Sequence, residues 1–415
     1  MKAVPMGGDP APFRDHFYLP DGLIYLDGNS LGPLSVEAER SLVALLSTWK
    51  RYGVEGWTTG EMPWFTLAED LAGLVAPLVG AGADEVIVAN STTVNLHQLL
   101  ATLYTPTPSR KSLLADALAF PSDIYALRSQ ILLRGGDPDI ELALVPARNG
   151  LLEEQDIVAR MTDEVQIALL PAVVYTTGQA LDLRYLTAEA HRRGIIIGFD
   201  CSHSIGAVPH AFDSDGVDFA FWCHYKYLNA GPGATGGLYL NRNHFGKSPG
   251  LAGWFSSSKA HQFDMSHSLI PADHAGALQI GTPNILSMAP LKGALELFHL
   301  AGMEALRTRS LALTQYLMEL VDEELTADGV QIVTPREPSR RGGHVALRHH
   351  EAMRLCKALR MHGVVPDFRP PDIVRFAPAP LYNTFEECRE AISRLKQILQ
   401  SGSYREIATE RDIVP

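Results

Sequence analysis

The sequence predicts an α/β fold in which a mostly parallel sheet forms a large domain and a smaller α+β domain follows. Between residues 84 and 240, short apolar runs alternate with helical stretches, as they do where strands are buried on both faces of a parallel sheet. From about residue 290, a long helical pattern and several shorter strands replace this alternation. The apolar runs are EVIVA, SLLAD, IELALVP, QIALLP, GIIIGFD, VDFAFW and GGLYLN. Because these runs number seven, we expect a seven-stranded sheet.

The spacing of apolar residues predicts the elements outside the sheet. Residues 35–52 and 64–79 predict two helices that precede it. After the sheet come one long helix over about 290–325, the strands GVQIVTP and GGHVALRHH, a helix over 351–362 and the strand IVRFAP. We therefore expect three parts, namely an N-terminal segment (1–60) packing on both domains, a large domain (61–290) and a small domain (291–415).

Composition and charge limit the classes of function. The chain has 415 residues, of which 46% are hydrophobic, and a net charge of -12. It can therefore bury a large core, but it carries no basic field for nucleic acid or anionic lipid. The opening MKAVPMGGDPAPFRDH has no apolar leader segment, no run reaches the ~18 apolar residues of a membrane span, and the cysteines lack CxxC spacing. We expect a soluble, cytoplasmic protein without disulfides or a metal site.

An acid and an amine follow two successive strands of the predicted sheet. The run GIIIGFD ends at Asp200, with His203 three residues later, and the run VDFAFW leads into Lys226. Side chains at the carboxyl ends of parallel strands meet at one edge of the sheet, where such folds bind ligands. Catalysis by pyridoxal 5'-phosphate (PLP) needs a lysine that binds its aldehyde and a carboxylate that keeps its pyridine nitrogen protonated. The pair therefore predicts PLP chemistry; the alternative is a structural aspartate and a solvated lysine at the same edge.

A phosphate site is predicted where a helix begins. NSTTVNLHQLL follows a strand and opens an amphipathic helix, so the amides and hydroxyls of Thr92 and Thr93 can hold an anion. An ordinary N-cap is the alternative. The stretch GPGATGG formally contains GxGxxG but precedes a strand, whereas dinucleotide binding needs it between a strand and a helix. We therefore reject a dinucleotide site there.

Three further residues are candidates for contact with a cofactor or substrate. In AFPSD, Phe120 precedes a helix and Asp123 lies in its first turn. Phe120 can stack on a flat ring or serve as a core staple. Arg375 interrupts the apolar strand IVRFAP, and its guanidinium needs a partner. Either a substrate carboxylate or a structural salt bridge supplies it, and the first suits an amino-acid substrate.

Several segments together resemble kynureninase and extend over nearly the whole chain. They are YLDGNSLGP at 25–33, TTVNLH at 92–97, FPSD at 120–123, FDCSHSIG at 199–206, HYKYLNAGPG at 224–233, GWF at 253–255, GTPNIL at 281–286 and VRFAPAPLYNTFEE at 374–387. Cysteine desulfurases and other class-V relatives share the fold but not YLDGNSLGP together with LNAGPG. The resemblance implies a PLP-dependent homodimer of fold type I, with active sites at the subunit interface. It also implies hydrolysis of L-kynurenine to anthranilate and L-alanine in tryptophan degradation.

The resemblance implies a role for individual residues as well. Lys226 is the Schiff-base lysine and the base that removes the α-proton, and Asp200 pairs with the pyridinium nitrogen. Tyr225 is the candidate acid that protonates the alanine-forming fragment, and Arg375 holds the substrate carboxylate. The residues implied around the cofactor also include Thr92, Thr93, Phe120, Asp123, His203, Tyr225 and, from the partner subunit, Trp254 and Thr282.

Two departures from the family pattern bear on recognition of the aromatic ring. TPN at 282–284 stands where NPP is typical of animal relatives, and Trp57 lies in a region that differs between bacterial and animal members. We expect L-kynurenine to be preferred, with 3-hydroxy-L-kynurenine as a possible second substrate.

Three other classes of function fit the sequence less well. A cysteine desulfurase needs a reactive loop thiol, whereas Cys356 and Cys388 lie in helical patterns. A PLP-binding DNA regulator needs an added helix-turn-helix and basic charge. A metal hydrolase would be expected to carry a motif such as HExxH, which the sequence lacks.

Overall fold

The structure, a computed structural model, describes residues 11–408 and residue 410. The first ten residues of the predicted N-terminal segment, and residues 409 and 411–415 of the predicted small domain, lie outside this description. The helices are α1 Val36–Tyr52, α2 Leu67–Val79, α3 Thr92–Leu103, α4 Pro121–Leu133, α5 Pro138–Glu141, α6 Glu154–Arg160, α7 Leu183–Arg192, α8 Phe212–Asp215, α9 Ile285–Ala301, α10 Met303–Glu324, α11 Ala352–Met361 and α12 Phe385–Ser401. The strands are β1 Ile24–Tyr25, β2 Val86–Val88, β3 Ser112–Asp116, β4 Leu142–Val145, β5 Val165–Pro171, β6 Ile196–Asp200, β7 Phe219–Trp222, β8 Gly237–Leu240, β9 Gln331–Ile332, β10 Val345–Arg348, β11 Val364–Val365, β12 Asp367–Arg369 and β13 Ile373–Phe376. Among the described residues, no helix combines the length and apolar character needed to cross a bilayer.

A seven-stranded sheet lies at the centre of the first hydrophobic core, as the apolar runs predict. Its strand order is β2-β8-β7-β6-β5-β3-β4. Strands β3 to β7 pair in parallel, whereas β8 is antiparallel to both of its neighbours. Every residue of β7 and β8 is buried, as in a sheet covered on both faces, and only the edge strand β4 is largely accessible. The predicted mostly parallel α/β sheet is confirmed.

The single helix predicted over residues 290–325 is in fact two helices, so that prediction is wrong. Gly302 separates α9 from α10 with φ of 75°, a conformation outside the helical region that glycine adopts without steric strain. Met288 and Leu295 of α9 belong to the core around the large sheet. Leu313 and Leu317 of α10 belong to a second core. The chain therefore passes from one core to the other near Gly302.

The second core packs α10, α11 and α12 against a small antiparallel sheet. The strand order of this sheet is β12-β13-β10-β9. The predicted strands GVQIVTP, GGHVALRHH and IVRFAP appear as β9, β10 and β13, and the helix predicted over 351–362 appears as α11. These elements form the smaller α+β unit that the sequence predicts.

Residues before the large sheet contact both cores. Strand β1 pairs in parallel with β11 of the second unit, with Ile24 opposite Val364. Helix α1 begins where the Ser35 side chain accepts a first-turn amide, an ordinary N-cap. It then packs so tightly on α9 that a Cβ added to Gly293 would lie 2.0 Å from the backbone oxygen of Glu37. The N-terminal residues thus join the two units.

Candidate active site

The polar residues singled out at strand ends come together at one edge of the large sheet. Asp200 is the last residue of β6, and Lys226 follows β7 by four residues. Asp123 lies in the first turn of α4, which begins shortly after β3 ends at Asp116. Since β3, β6 and β7 run in the same direction, their carboxyl ends share the edge at which open α/β sheets bind ligands.

Lys226 lies against a buried imidazole. Its Nζ is 2.9 Å from Nε2 of His203, which is 5% exposed. Burial, and then the charges of Lys226 and Arg375, hold the pKa of His203 well below its ordinary value. The imidazole is therefore neutral at pH 7, and its Nε2 can accept a hydrogen bond from the lysine. Its Nδ1 is buried and makes no hydrogen bond to any residue that the structure describes, so it is an unsatisfied polar atom of this site.

Asp123 and Asp200 form a hydrogen-bonded carboxyl pair. Burial, and then the charge of Asp200, raise the pKa of Asp123 well above its ordinary range, while Lys226 opposes that shift. Asp123 is therefore a neutral donor and Asp200 its acceptor. Asp200 Oδ1 also accepts the amide of Ser202 at 2.8 Å. The pair offers a negative charge with one shared proton, which suits a cationic ring nitrogen.

A third carboxyl group at this edge was not singled out from the sequence. Asp116 is 1% exposed, and burial raises its pKa to about 6. Its Oδ1 accepts the amide of Leu118 at 2.8 Å, and its Oδ2 has no hydrogen-bond partner among the described residues. The strand end in SLLAD was the available signal, because it has the same form as the one in GIIIGFD.

The predicted phosphate site is the start of α3. Its N-cap, Ser91, makes no side-chain hydrogen bond to the first turn, so the amides that lack acceptors within the helix stay available to an anion. The hydroxyl of Thr93 lies 3.0 Å from that of Ser122 in α4. The glycine-rich stretch before β8 packs here, since a Cβ added to Gly236 would lie 3.1 Å from the amide nitrogen of Thr92. The structure thus brings both threonines to an uncapped helix start.

Phe120 stands at the start of α4 and is 43% exposed. Its ring meets that of Tyr175 edge-on at a centroid distance of 5.4 Å, and Tyr175 lies 6.2 Å from the His203 ring. Phe120 is therefore not a buried core staple, and one aromatic neighbour joins it to the lysine site. Tyr175 was missed because the loop that carries it has no periodic pattern.

Tyr225 precedes the lysine and is half-buried. A hydrogen bond connects its hydroxyl with the thiol of Cys223, and this neighbour together with burial raises the pKa of Tyr225. The hydroxyl therefore stays protonated across the neutral pH range and is able to donate a proton.

Arg375 is completely buried and already has partners within the chain. Its guanidinium forms an ion pair with Asp367, donates to the backbone oxygen of Tyr175 at 2.6 Å and reaches Ser30 Oγ at 3.3 Å. Burial lowers its pKa to about 10, so it remains charged at neutral pH. A structural salt bridge therefore exists, and Nε is a further buried donor without a partner in the part of the chain that the structure describes.

The loop GNSLG reaches the lysine site. The amide of Gly32 donates to the backbone oxygen of Tyr225 at 2.8 Å. A Cβ added to Gly32 would lie 2.1 Å from Asn229 Oδ1 and 2.5 Å from the backbone oxygen of Lys226. Only glycine permits this approach, and the loop thereby fixes the peptide that precedes the lysine.

Trp254 and Thr282 lie apart from this buried cluster on the surface. Trp254 is 40% exposed, with its ring edge-on to Phe263 at 5.6 Å. Thr282 is exposed in the loop before α9. Neither is buried within one chain, which is compatible with their implied place at a subunit interface.

Proteins of known structure share this fold. A mutant of C-DES with glycine covalently linked to the PLP cofactor matches 93% of this chain and 99% of its own, with a TM-score of 0.80 at 17% identity. An apo cysteine desulfurase from Thermococcus onnurineus NA1 matches 94% of this chain and 98% of its own, with a TM-score of 0.77 at 18% identity. The predicted fold type I is confirmed, and the lysine at its sheet edge suits the PLP-dependent enzymes built on that fold.

Sequence relatives then give the family. Kynureninase from Bacillus cereus is 56% identical over 97% of this chain and 94% of its own length. Kynureninases from Geobacillus thermodenitrificans and Shouchella clausii are 54% and 53% identical, over 97% and 98% of this chain and 94% and 95% of their own lengths. Residues 306–395 match the family model of the kynureninase C-terminal domain. The chain belongs to the kynureninase family, and the predicted PLP-dependent enzyme class is confirmed.

The residues present fit PLP. A lysine amine held by a neutral imidazole is able to bind the aldehyde, and the Asp123–Asp200 pair offers a negative charge for the pyridine nitrogen. The uncapped start of α3 offers amides for the phosphate. His203 Nδ1, which is buried and has no partner within residues 11–408 and 410, is a further polar atom for the cofactor to satisfy.

Proposed function

We propose that this chain hydrolyses L-kynurenine at its Cβ–Cγ bond to give anthranilate and L-alanine. The observation that carries the proposal is the contact between Lys226 Nζ and His203 Nε2 at 2.9 Å, beside a carboxyl pair, in a chain 56% identical to a kynureninase over nearly its whole length. When bound, PLP supplies the electron sink that makes the Cα proton acidic and stabilises the fragment left by Cβ–Cγ cleavage.

Lys226 is proposed as the residue that binds the cofactor aldehyde and then moves the α-proton. Its Nζ must be an unprotonated amine to do either, and the neutral His203 is proposed to orient this amine by accepting a hydrogen bond from it. Asp200 is proposed to face the pyridine nitrogen, with Asp123 donating a hydrogen bond to it.

The remaining cofactor contacts are proposed around this pair. The helix start at Thr92 and Thr93 would hold the phosphate, and the exposed face of Phe120 would lie against the ring. Support comes from the uncapped α3 and from the position of Phe120 beside Tyr175.

Arg375 and Tyr225 are proposed to act on the substrate. The buried Nε of Arg375 lacks a partner among the residues described, and binding of a carboxylate would exchange part of the ion pair between Arg375 and Asp367 for one with the substrate. The Tyr225 hydroxyl, whose pKa is raised, would give a proton to the fragment that becomes alanine.

L-Kynurenine is proposed as the preferred substrate over its 3-hydroxy form. The residues on which this depends are Trp57, whose ring packs 6.2 Å from that of Phe255, and Thr282–Asn284 at the exposed turn before α9. Parallel assays with both substrates test the preference.

A homodimer with shared active sites is proposed from the exposed apolar residues next to Trp254. Phe263 and Met265 are 69% and 68% exposed, and Ile270 is 48% exposed, so a second copy would cover an apolar surface there. Sedimentation velocity measures the assembly. Mixing Lys226→Ala and Trp254→Ala proteins tests sharing, because one intact site would form only if Trp254 acts across the interface.

A division of the chain into three parts and a cytoplasmic location are also proposed. The three-part division into 1–60, 61–290 and 291–415 is kept, although the passage between cores would move its second boundary to about Gly302. A cytoplasmic location is proposed because the four cysteines are all buried and no disulfide joins any two of them.

The deciding experiment incubates the purified protein with PLP and L-kynurenine and follows anthranilate fluorescence, with 3-hydroxy-L-kynurenine in parallel. We expect turnover of L-kynurenine, and product from neither substrate would refute the proposal. Lys226→Ala is expected to lose both turnover and the absorbance of the lysine-bound cofactor. Lys396→Ala, at a lysine of α12 that forms a surface pair with Glu324, is the matched control and should keep both.

A further inference from the structure

A second buried histidine touches the lysine site from the other unit. His344 immediately precedes β10 and is 0% exposed. Its ring meets that of His203 edge-on, with centroids 5.9 Å apart and an interplanar angle of 65°. His203 is in turn the residue in contact with the Lys226 amine. A residue of the small unit therefore forms part of the wall behind the proposed catalytic lysine.

The backbone around His344 is fitted closely to the large unit. The amide of Gly342 donates to the backbone oxygen of Gly178 at 2.7 Å. A Cβ added to Gly178 would lie 2.8 Å from the backbone oxygen of His344 and 3.2 Å from its Nε2. A Cβ added to Gly343 would lie 3.1 Å from the Tyr227 ring. These glycines let the segment approach until the imidazole reaches His203.

We propose that His344 is a positioning residue for the reaction, whose buried ring holds the His203 imidazole in place against Lys226 and keeps water away from it. The proposal rests on the proposed role of Lys226 and goes beyond it, because it assigns part of the site to the small unit. The role assigned to His344 is indirect, because it acts through its contact with His203.

The charges around the two rings support this role. Burial, and then the charges of Lys226 and Arg375, lower the pKa of His203, and His344 and Arg369 contribute in the same direction. Burial and the charges of Arg375, Arg369 and Lys226 likewise hold the pKa of His344 well below its ordinary value. Both rings are therefore neutral, and His344 contributes an uncharged, space-filling wall.

Removing the His344 ring should change how activity depends on pH. In His344→Ala, water reaches His203, and the pKa of His203 rises towards its ordinary value of about 6.5. Below that pH the imidazole is protonated, and its Nε2 can no longer accept the hydrogen bond from Lys226. Activity on the acid side should then fall in the variant where the wild-type protein keeps it.

The test compares His344→Ala and His344→Phe with a matched control, His349→Phe. His349 follows the same strand β10 at its other end, is 4% exposed, and stacks on His350 at 4.3 Å, away from the site. For each holoenzyme we would measure the pH profile of kcat/KM and, without substrate, a pH titration of the absorbance of the lysine-bound cofactor. Thermal unfolding of the apo forms reports the purely structural effect.

We expect His344→Ala to lose about tenfold more kcat/KM than wild type between pH 8 and pH 5.5, since one protonation changes activity about tenfold per pH unit below its pKa. Its cofactor absorbance should gain a transition near pH 6.5 that wild type lacks. His344→Phe keeps the space filled and should follow the wild-type profile, as should His349→Phe. In a His203→Gln background, the added transition should disappear.

Three outcomes would overturn the proposal. These are a wild-type pH profile in His344→Ala, an equal defect in His344→Phe, and an acid transition that persists in the His203→Gln background. His344→Ser opens the same space and replaces His344→Ala if that variant yields no folded protein. The absorbance titration needs no substrate, so a wild-type chain that binds PLP but makes no anthranilate would refute the reaction while His344 is still tested.

Discussion

Replacing Asp123 with asparagine separates the two states that its carboxyl group can have. Burial and the neighbouring Asp200 charge raise the pKa of Asp123 well above its ordinary range, so we expect the native side chain to be a neutral hydrogen-bond donor. Asparagine has the same shape and also donates. Asp123→Asn should therefore keep kcat/KM within about threefold of wild type, because it preserves the one hydrogen bond that the site requires.

Asp123→Ala removes that donor and gives the expected magnitude. A hydrogen bond to a charged partner contributes about 1.5–3 kcal/mol, which corresponds to a loss of about 10- to 150-fold in kcat/KM. Asp200→Asn removes the charge itself and should cost more than Asp123→Ala. The assay is anthranilate formation at pH 8, together with the dissociation constant for PLP measured by titration of the apo form.

The comparison between these variants can refute the reasoning. If Asp123→Asn is as damaging as Asp200→Asn, Asp123 is ionised in the native protein and the shared-proton pair is wrong. Asp139→Asn is the control, because the Asp139 side chain is 77% exposed in a surface pair with Arg128. It should leave both quantities unchanged, since such exposed pairs contribute little.

Three further substitutions test other parts of the site. Tyr225→Phe should bind PLP with the absorbance of the lysine-bound cofactor intact but should have a lower kcat. An undiminished kcat would show that the Tyr225 hydroxyl is not the acid. Gly32→Ala should abolish activity and lower the melting temperature, because its Cβ would lie 2.1 Å from Asn229 Oδ1. Gly73→Ala is the control: it lies inside α2 with nothing within 4 Å of the added Cβ, and it should raise the unfolding free energy by about 1 kcal/mol. Asp116 has its pKa raised to about 6, so its ionisation opposes folding above that pH; Asp116→Asn should add about 1–2 kcal/mol to the unfolding free energy of the apo form at pH 7.5. That gain should fade as pH falls from 6 towards 4, and urea unfolding that shows no gain at pH 7.5 would contradict the assignment.

The central sheet could be predicted because its strands carry a continuous local signal. Strands buried on both faces consist mostly of apolar residues, and the polar residues that end several of the runs mark the carboxyl edge. Asp200 and Lys226 were found in this way. The break between α9 and α10 was not found, because apolar spacing continues on both sides of Gly302 and only the backbone conformation of that residue separates the helices.

Side chains that depend on packing between distant segments had no such signal. His344 reaches the site because the segment at Gly342 and Gly343 lies against Gly178, a contact between the two units. Asp367, which pairs with Arg375, lies in the three-residue strand β12 directly after Pro366. This strand is too short to show an alternation of apolar and polar residues. Tertiary contact, not local sequence, decides both positions.

The pairing of β1 with β11 has a consequence for how the protein is made. Ser30 donates to Asp367 across 337 positions of sequence, and Ile24 pairs with Val364. A ribosome releases the first of these partners long before it synthesises the second. Ile24 and Leu26, both of which are buried in the folded protein, therefore stay exposed until almost the entire chain has been synthesised. The loop GNSLG, which supports the peptide before Lys226, can contact Asp367 only when translation is nearly complete. We therefore expect the incomplete chain to need chaperones more than the finished protein does.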